Sequence, residues 1–365
     1  MTNNGGVMII ENLAVKDFRN YEYLDLEFGK NVNIIYGQNG QGKTNIVEAI
    51  HFLSFSKSFR TKMDNDVIKF GKDTAYIRGT ANENTPKTID IRLSNGKKKA
   101  INVNSVPILK ISDLMGVLNT VVFVPEDIKI VADSPTYRRN FMDKEISQLK
   151  PVYYNLLLDY TKILKNKNIL LKSETADQYL LDIYDEQLSG LMEKIINYRE
   201  KFIADLSKIA ANIHLSVSSN KEHLTLNYKP DLPSKNKSDI IAHLKASRKH
   251  DLFSGTSRSG IHKDDIEIKI GDIDLRKYGS QGQKKTAVVA IKLSEINIIE
   301  NQTNSKPVVI LDDIFSELDS LRKNAIINYL QDTQTFITTA NTIDDIDGFK
   351  DIKYFYVQDA KVKQN

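Results

Sequence analysis

The feature that most constrains the fold is the segment IIYGQNGQGKTNIVEAI, residues 34–50. It contains a short apolar run, a glycine-containing turn that fits the pattern G-x-x-x-x-G-K-[ST], and apolar residues at helical spacing. A strand, a phosphate-binding turn and a helix in this order are typical of a nucleotide-binding α/β unit. The segment therefore predicts an α/β protein that binds a nucleotide.

Bulk composition narrows the class further. The chain has 365 residues, of which 41% are apolar and 27% charged, and it contains no cysteine. Disulfides and thiolate metal sites are therefore excluded, and no apolar run reaches the length of about 18 residues that a membrane span needs. We expect a cytoplasmic protein without a membrane partner. The net charge of +4 is compatible with nucleic acid but supports it only weakly.

Residues 37–45 supply the predicted phosphate contacts. Backbone N–H groups of the turn would surround phosphate oxygens, and Lys43 would neutralise the β- and γ-phosphates of a bound nucleotide. Thr44 would offer its hydroxyl to Mg²⁺. The predicted nucleotide-binding residues of the turn are Gly37, Gln38, Asn39, Gly40, Gln41, Gly42, Lys43, Thr44 and Asn45.

A second segment, PVVILDDIFSELD at 307–319, predicts a buried strand that ends in two carboxylates. Asp312 is expected to hold Mg²⁺, and Asp313 to orient or deprotonate the attacking water. With Lys43, Asp313 forms the predicted catalytic pair. The alternative is a core strand with a polar turn, and the phosphate loop favours the functional interpretation.

A third segment, YGSQGQKKTAVVAIKLSE at 278–295, places Ser280 near a helix N-cap and Gly282 in the first turn. A helix N-terminus of this kind can bind an anion. Taken alone, the segment fits an ordinary helix start equally well.

The order of these segments resembles that of the ABC-type ATPases, in their chromosome-maintenance and repair branch, and most closely the RecF recombination proteins. The resemblance covers nearly the whole chain. The segments that carry it are DFRNY (17–21), GQNGQGKTNIVEAI (37–50), SKSFRT (56–61), FVPEDIKIV (123–131), SPTYRRNFMD (134–143), GIHKDD (260–265), SQGQ (280–283), LDDIFSELD (311–319) and TFITTAN (335–341).

The chain also departs from the family pattern, which leaves open whether it is a housekeeping or a divergent member. Ile261 and Lys263 stand where the family has proline and arginine, and Lys284-Lys285 replaces Gln-Arg. Glu126 occupies the place of a γ-phosphate-sensing glutamine, so its role stays open. The switch histidine of transporters is replaced by threonine near Thr339.

The resemblance implies an α/β fold with an ABC-type P-loop ATPase lobe, built from a mixed sheet with an antiparallel β subdomain, plus a helical second lobe. We expect the ATPase lobe to comprise 8–135 with 256–365 and the helical lobe 136–255, with the signature at 280–283 near their junction. Helical spacing over 138–214, with a break at 173–175, predicts two or three helices, each under about 45 Å at 1.5 Å per residue.

The resemblance further implies an ATP sandwich in a homodimer, with Mg²⁺ and ATP as cofactors. Residues 280–283 of one copy would cap the ATP that Lys43 holds in the other, and Asp319 would lie at the dimer seam. Arg19 and Asn20 would approach the nucleotide. The predicted signature residues in trans are Ser280, Gln281, Gly282 and Gln283.

Basic residues predict a DNA surface, because lysine and arginine bind phosphate without reading sequence. The candidates are Lys57, Arg60 and Lys62 after the phosphate-loop helix, and Arg138 and Arg139 at the start of the helical lobe. A solvated charged surface is the alternative. The partners implied by the resemblance are double-stranded or gapped DNA, a second copy of the chain, and mediators of the RecR and RecO type.

Three functions are compatible with the sequence. The first is an ATP-dependent DNA-binding protein of recombinational repair that dimerises near gaps and helps load recombinase. Its ATPase is expected to be slow, because Asp313 is one methylene shorter than the glutamate of most ABC ATPases. The second is the nucleotide-binding subunit of a membrane transporter, and the third is a scaffold that ATP locks without hydrolysis.

Overall fold

The computed structural model describes residues 6–218, 222–340, 349 and 351–364. Its chain divides into two compact units, one formed by 1–127 with 288–365 and the other by 128–287. Residues 256–287, which the sequence assigned to the ATPase lobe, fall in the second unit, as do 128–135. Asn341, the last residue of the TFITTAN segment, lies outside the described residues.

The first helices and strands of the chain, up to residue 127, are β1 (Gly6–Val7), β2 (Ile9–Phe18), β3 (Tyr21–Glu27), β4 (Val32–Tyr36), α1 (Lys43–Phe55), β5 (Thr74–Asn82), β6 (Pro86–Ser94), β7 (Ala100–Val103), β8 (Val106–Pro107) and β9 (Thr120–Phe123). The next are α2 (Ile128–Ala132), α3 (Pro135–Leu149), α4 (Pro151–Leu171), α5 (Gln178–Val217), β10 (Leu224–Lys229), α6 (Lys237–Ser254), β11 (Asp265–Ile270), β12 (Ile273–Asp274) and α7 (Leu275–Tyr278). The last are α8 (Gln281–Thr303), β13 (Ser305–Lys306), β14 (Val308–Asp312), α9 (Ser320–Tyr329), β15 (Thr335–Thr339), β16 (Ile352–Gln358) and β17 (Lys361–Gln364).

The first unit contains a mixed sheet with the strand order β17-β16-β4-β15-β14-β9. Its neighbouring strands are parallel except for the pair β16 and β17. All five residues of β14, VVILD, are buried, as expected of a central parallel strand. Parallel strands have their carboxyl ends at the same edge of the sheet. The last residues of β4, β14 and β15, which are Tyr36, Asp312 and Thr339, therefore lie along one edge.

A second sheet of the first unit is antiparallel, with the order β3-β2-β5-β6-β7-β8. Strand β5 alternates between buried and more accessible positions through 74–82, so one of its faces packs in the core. Helix α1 contacts strands of both sheets, among them β5 and β15. This explains why 11 of its residues are buried and not just a single stripe.

The second unit is mainly helical, with a small antiparallel sheet of order β10-β11-β12. Helix α4 ends at Leu171 and α5 begins at Gln178, on either side of the predicted break at 173–175. Helix α5 has 40 residues, which correspond to about 60 Å, so the predicted limit of about 45 Å was wrong. Among the described residues, no helix has the length and apolar character needed to cross a bilayer.

Candidate nucleotide site

The phosphate loop connects β4 to α1 through residues 37–42 in a backbone that needs glycine. Gly37 and Gly42 have φ angles of 149° and 117°, which L side chains rarely adopt. A Cβ on Gly37 would lie 2.2 Å from the carbonyl oxygen of Val357, and one on Gly42 would lie 2.7 Å from Nδ2 of Asn20. Space and conformation therefore both exclude larger residues at these two positions.

Lys43 holds the loop in shape. Its Nζ donates to the carbonyl oxygens of Gly37 at 2.6 Å and Gln38 at 2.9 Å, and to Oδ1 of Asn39 at 3.4 Å. Burial lowers the pKa of Lys43, while the negative charges of Asp313 and Asp312 partly offset that effect. The loop thus encloses a positive charge beside two carboxylates.

Thr44 and Asp312 meet although 268 residues separate them in the chain. The Thr44 hydroxyl donates to Oδ1 of Asp312 at 2.8 Å, and the hydroxyl of Thr338 donates to the same oxygen at 2.6 Å. Burial raises the pKa of Asp312, and these two hydrogen bonds lower it in part. Both hydroxyls thus converge on one buried carboxylate at the strand end.

Asp313 follows Asp312 in a left-handed backbone conformation, with φ of 53°. Its backbone N–H donates to the Thr338 hydroxyl at 3.0 Å, and its side chain is half-buried. Its charge acts on Lys43. The structure therefore brings the predicted catalytic pair into one neighbourhood.

Asn20 lies against the phosphate loop, and Arg19 lies behind it. Asn20 Nδ2 donates to the Gln41 carbonyl at 3.2 Å, and Asn20 Oδ1 accepts from Asn45 Nδ2 at 2.7 Å. Gln41 also accepts, through Oε1, the N–H of Asp359 at 2.6 Å. Asn20 therefore braces the loop, and its predicted nearness to the nucleotide stays a prediction.

Arg19 forms a forked pair with Glu48, a buried carboxylate on α1, at 2.9 and 2.5 Å. Arg60 reaches the same carboxylate at 3.4 Å and donates to Oδ1 of Asn45 at 2.9 Å. The guanidinium of Arg19 is thus committed to Glu48, and its predicted approach to the nucleotide stays a prediction. Arg60, assigned to DNA from the sequence, lies against Asn45 in the first turn of α1.

The signature segment opens α8 in the second unit with a reciprocal cap. Gln283 N–H donates to the Ser280 hydroxyl at 3.2 Å, and Ser280 N–H donates to Oε1 of Gln283 at 3.0 Å. This is the capping-box arrangement, which satisfies N–H groups at a helix start. Gln281 and Ser280 are exposed. The segment is therefore a well-formed helix N-terminus that faces solvent.

Asp319 also caps a helix. Its Oδ1 accepts the N–H of Arg322 at 3.0 Å at the start of α9, and its other oxygen pairs with the Arg322 guanidinium. Its side chain is 55% exposed, so it is accessible for the seam contact predicted for it.

The basic residues assigned to DNA differ in exposure. Lys57, Arg60 and Lys62 are exposed on the connection after α1. Arg139 is half-buried and donates to the carbonyl of Asp264 at 2.8 Å. Lys57 and Lys62 thus fit the predicted phosphate role better than Arg139.

Arg138 does not agree with its predicted DNA contact. Its side chain is 2% exposed and binds Asp265 through two bonds of 2.5 and 3.1 Å. It also donates to the carbonyl oxygens of Ile130 and Asp133. A guanidinium enclosed in this way cannot reach a phosphate, so we correct its role to a structural one.

Arg138→Ala should therefore destabilise the second unit, because it leaves the Asp265 carboxylate and two carbonyls without their partner. We expect the free energy of unfolding to fall by about 3 kcal/mol, measured by urea denaturation. The exposed Arg276 is the matched control, and its alanine variant should change stability little. A loss of DNA binding at unchanged stability would instead support the phosphate role.

The site also contains residues that sequence patterns did not reveal. The Thr338 hydroxyl donates to Asp312, and the Tyr21 hydroxyl donates to the Gly42 carbonyl. Glu48 accepts from the Arg19 guanidinium. Thr339, which the sequence placed near the switch-histidine position, is the next residue of β15, and that assignment stays a prediction. His262 forms hydrogen bonds with the Tyr160 hydroxyl at 2.6 Å and the Ser257 carbonyl at 3.1 Å. Within the described ranges, no group of three or more acidic, histidine or cysteine side chains forms a metal cluster.

A parallel-stranded core with a lysine-bearing phosphate loop beside a buried strand that ends at Asp312 defines a P-loop nucleotide-binding protein. The family model "RecF/RecN/SMC N terminal domain" matches residues 9–361. The DNA replication and repair protein RecF of Clostridioides difficile is 43% identical over 341 residues, covering 91% of this chain and 92% of the relative. Its counterpart from Clostridium tetani is 40% identical and covers 97% of each chain.

Solved structures agree. The structure titled recombination mediator protein RecF-ATPrS in the RecFOR pathway has a TM-score of 0.92 and 34% identity, covering 99% of each chain. An Smc head domain from Pyrococcus furiosus, at 17% identity and a TM-score of 0.57, shares the fold. The chain belongs to the RecF family of DNA replication and repair proteins. The predicted family and fold class are thereby confirmed.

Proposed function

We propose that this chain binds Mg²⁺ and ATP at residues 37–45, hydrolyses ATP slowly, and uses it to control a dimer on DNA during recombinational repair. The observation that carries the proposal is the 2.8 Å bond between Thr44 and Asp312, which joins the phosphate loop to the carboxylate strand. The relative titled RecF-ATP in the RecFOR pathway supports the ligand and the process.

The residues at this point suit a magnesium ion. Mg²⁺ prefers oxygen ligands and is bound by one or two protein groups together with substrate phosphates. Thr44 and Asp312 offer a hydroxyl and a carboxylate, and Asp312 is buried at 7% exposure. When bound, the ion would neutralise charge on the phosphates. Thr44 and Asp312 are therefore the residues that would hold it.

The remaining roles belong to the side chains of the chain itself. Lys43 places a cation inside the loop, where it would stabilise charge on the terminal phosphates. Asp313 stands at the strand end, where its carboxylate would orient or deprotonate the attacking water. Since Asp313 is shorter than glutamate, we expect slow turnover that serves as a timer and not as a motor.

The second half of the site would come from another copy. Ser280 and the Gly282 backbone would reach the γ-phosphate that Lys43 holds, with Gln281 and Gln283 beside them and Asp319 at the seam. The exposed helix N-terminus at Ser280 supports this, because such ends favour anions. Sedimentation with ATP and with ADP tests the dimer, and only ATP should produce it.

The enzymatic proposal is tested by ATP turnover with and without gapped duplex DNA, at two salt concentrations. We expect slow turnover that DNA raises and salt lowers. Turnover above several per second without DNA would contradict the timer. ATP-dependent dimerisation without any turnover would favour the non-hydrolysing scaffold. The transporter subunit is not retained, since the chain belongs to a DNA replication and repair family.

Lys57 and Lys62 give a prediction for DNA binding. Replacing both by alanine should weaken binding to all duplex sequences and reduce the slope of log affinity against log salt by about 2, one for each phosphate that is no longer neutralised. Fluorescence anisotropy at several salt concentrations measures this slope. The control is the Lys97→Ala and Lys98→Ala pair, which is equally exposed on a hairpin. Equal reductions in both pairs would show a non-specific charge effect.

Mediators of the RecO and RecR type are proposed as partners on family grounds.

A further inference from the structure

We propose that Thr338 is a positioning residue that sets both aspartates of the β14 end through its single hydroxyl. The inference rests on the proposed function, since it assigns a role within the hydrolytic site. The observation that carries it is the pair of bonds on Thr338 Oγ1, one of 2.6 Å to Asp312 Oδ1 and one of 3.0 Å from the N–H of Asp313.

Strand register explains how the hydroxyl reaches both residues. Strands β14 and β15 are parallel, and Asp312 pairs directly with Thr338. Thr338 is 1% exposed, so its hydroxyl has protein partners in place of water. A hydroxyl has one donor hydrogen and can also accept. Here the hydrogen goes to the carboxylate of Asp312 while the oxygen accepts the amide of Asp313.

The two bonds have different consequences. The bond to Asp312 fixes one oxygen of the carboxylate that would hold the metal, and Thr44 donates to that same oxygen at 2.8 Å. The bond from Asp313 holds its peptide in the left-handed conformation, with φ of 53°. Such conformations persist only where surrounding contacts hold them. Thr338 therefore controls both the direction of Asp312 and the backbone that presents Asp313.

Thr339 does not share this position. It is the next residue of β15, and successive side chains of a strand point to opposite faces. The same strand offers a matched control in Thr335, which is fully buried and whose hydroxyl donates to the Thr333 carbonyl at 3.1 Å. Thr335→Val removes a buried hydroxyl from β15 without touching either aspartate.

The test compares Thr338→Val, Thr338→Ser and Thr335→Val. In nucleotide-free protein, hydrogen exchange at the Asp313 amide should be at least tenfold faster in Thr338→Val, and near wild type in the other two. Binding of Mn²⁺ with a slowly hydrolysed ATP analogue, followed by electron paramagnetic resonance, should weaken several-fold in Thr338→Val alone. In turnover, kcat should fall at least tenfold with little change in KM for ATP, and serine should restore it.

The inference is overturned if Thr338→Val matches wild type in amide exchange and Mn²⁺ affinity, or if Thr335→Val changes them equally. Should the valine variant not fold, Thr338→Ala replaces it with the same expectations. The exchange measurement needs no nucleotide. Wild-type protein that does not bind or hydrolyse ATP would therefore defeat the proposed function, while fast exchange at Asp313 in Thr338→Val would still support the hydroxyl's hold on that peptide.

Discussion

Replacing Lys43 by alanine should reduce the affinity for ATP on the order of 100-fold, equivalent to about 2.7 kcal/mol of binding free energy. Two effects combine in this variant. The cation that would face the phosphates is removed, and so are the bonds that Nζ makes to the carbonyl oxygens of Gly37 and Gln38. The loop then presents carbonyl oxygens without a counter-charge, which repels the anionic ligand. Isothermal titration with ATP in the presence of Mg²⁺ measures the effect.

Lys43→Met separates the two contributions, because it keeps most of the side-chain length without the charge. It should bind ATP as poorly as Lys43→Ala if charge dominates. The control is Lys57→Ala, which removes an exposed lysine and should leave ATP affinity unchanged. Circular dichroism should show that each variant folds. ATP affinity within a factor of about three of wild type in both Lys43 variants would remove the phosphate loop as the binding site.

The local geometry of the phosphate loop and of the strand before Asp312 could be predicted from the sequence because its signals are local. The glycine spacing at 37–42 demands a turn of unusual φ angles, and the run VVIL before Asp312 demands a buried strand. Each of these patterns depends on a few neighbouring residues. The strand, loop and helix boundaries therefore follow from backbone conformation and burial without knowledge of distant contacts.

Contacts between distant segments could not be predicted in the same way. Glu48 falls on a helix that the sequence reads as a single apolar face, yet it is completely buried and neutralises Arg19. The segment SPTYRRNFMD suggested that Arg138 is an exposed cation. In the structure it is buried and pairs with Asp265, which lies 127 residues later in the chain. Charge alone does not reveal burial, because a paired guanidinium can be as deep as an apolar side chain.

Thr338 shows the same limit at the carboxyl edge of the parallel sheet. Its importance depends on the register that pairs it with Asp312, and a shift by one residue would have placed Thr339 there. Register in a parallel sheet follows from packing over the whole unit. The length of α5 was also underestimated. Gly190 does not interrupt this helix, because the helix packs against α4, α6 and β10.

The second large effect is expected for Asp313→Asn, which should lower ATP hydrolysis on the order of 100-fold or more while ATP stays bound. Asparagine keeps the size of the side chain and accepts a left-handed backbone readily, so the bond from residue 313 N–H to Thr338 can persist. What disappears is the carboxylate that would take a proton from water. The unreacted ATP should then keep the proposed dimer closed, seen as a persistent dimer in sedimentation velocity.

The matched control for this variant is Asp332→Asn, which alters an exposed aspartate paired with Lys306 in the same unit. It should hydrolyse ATP as wild type does, so a shared reduction would indicate damage to the fold. Single-turnover quench measurements separate hydrolysis from product release. Unchanged hydrolysis in Asp313→Asn would exclude Asp313 as the base. If Asp313→Asn hydrolyses ATP slowly but stays monomeric in ATP, Asp313 would remain the base and the ATP sandwich would be excluded. A dimer held together by ATP should stay closed when that ATP is not cleaved.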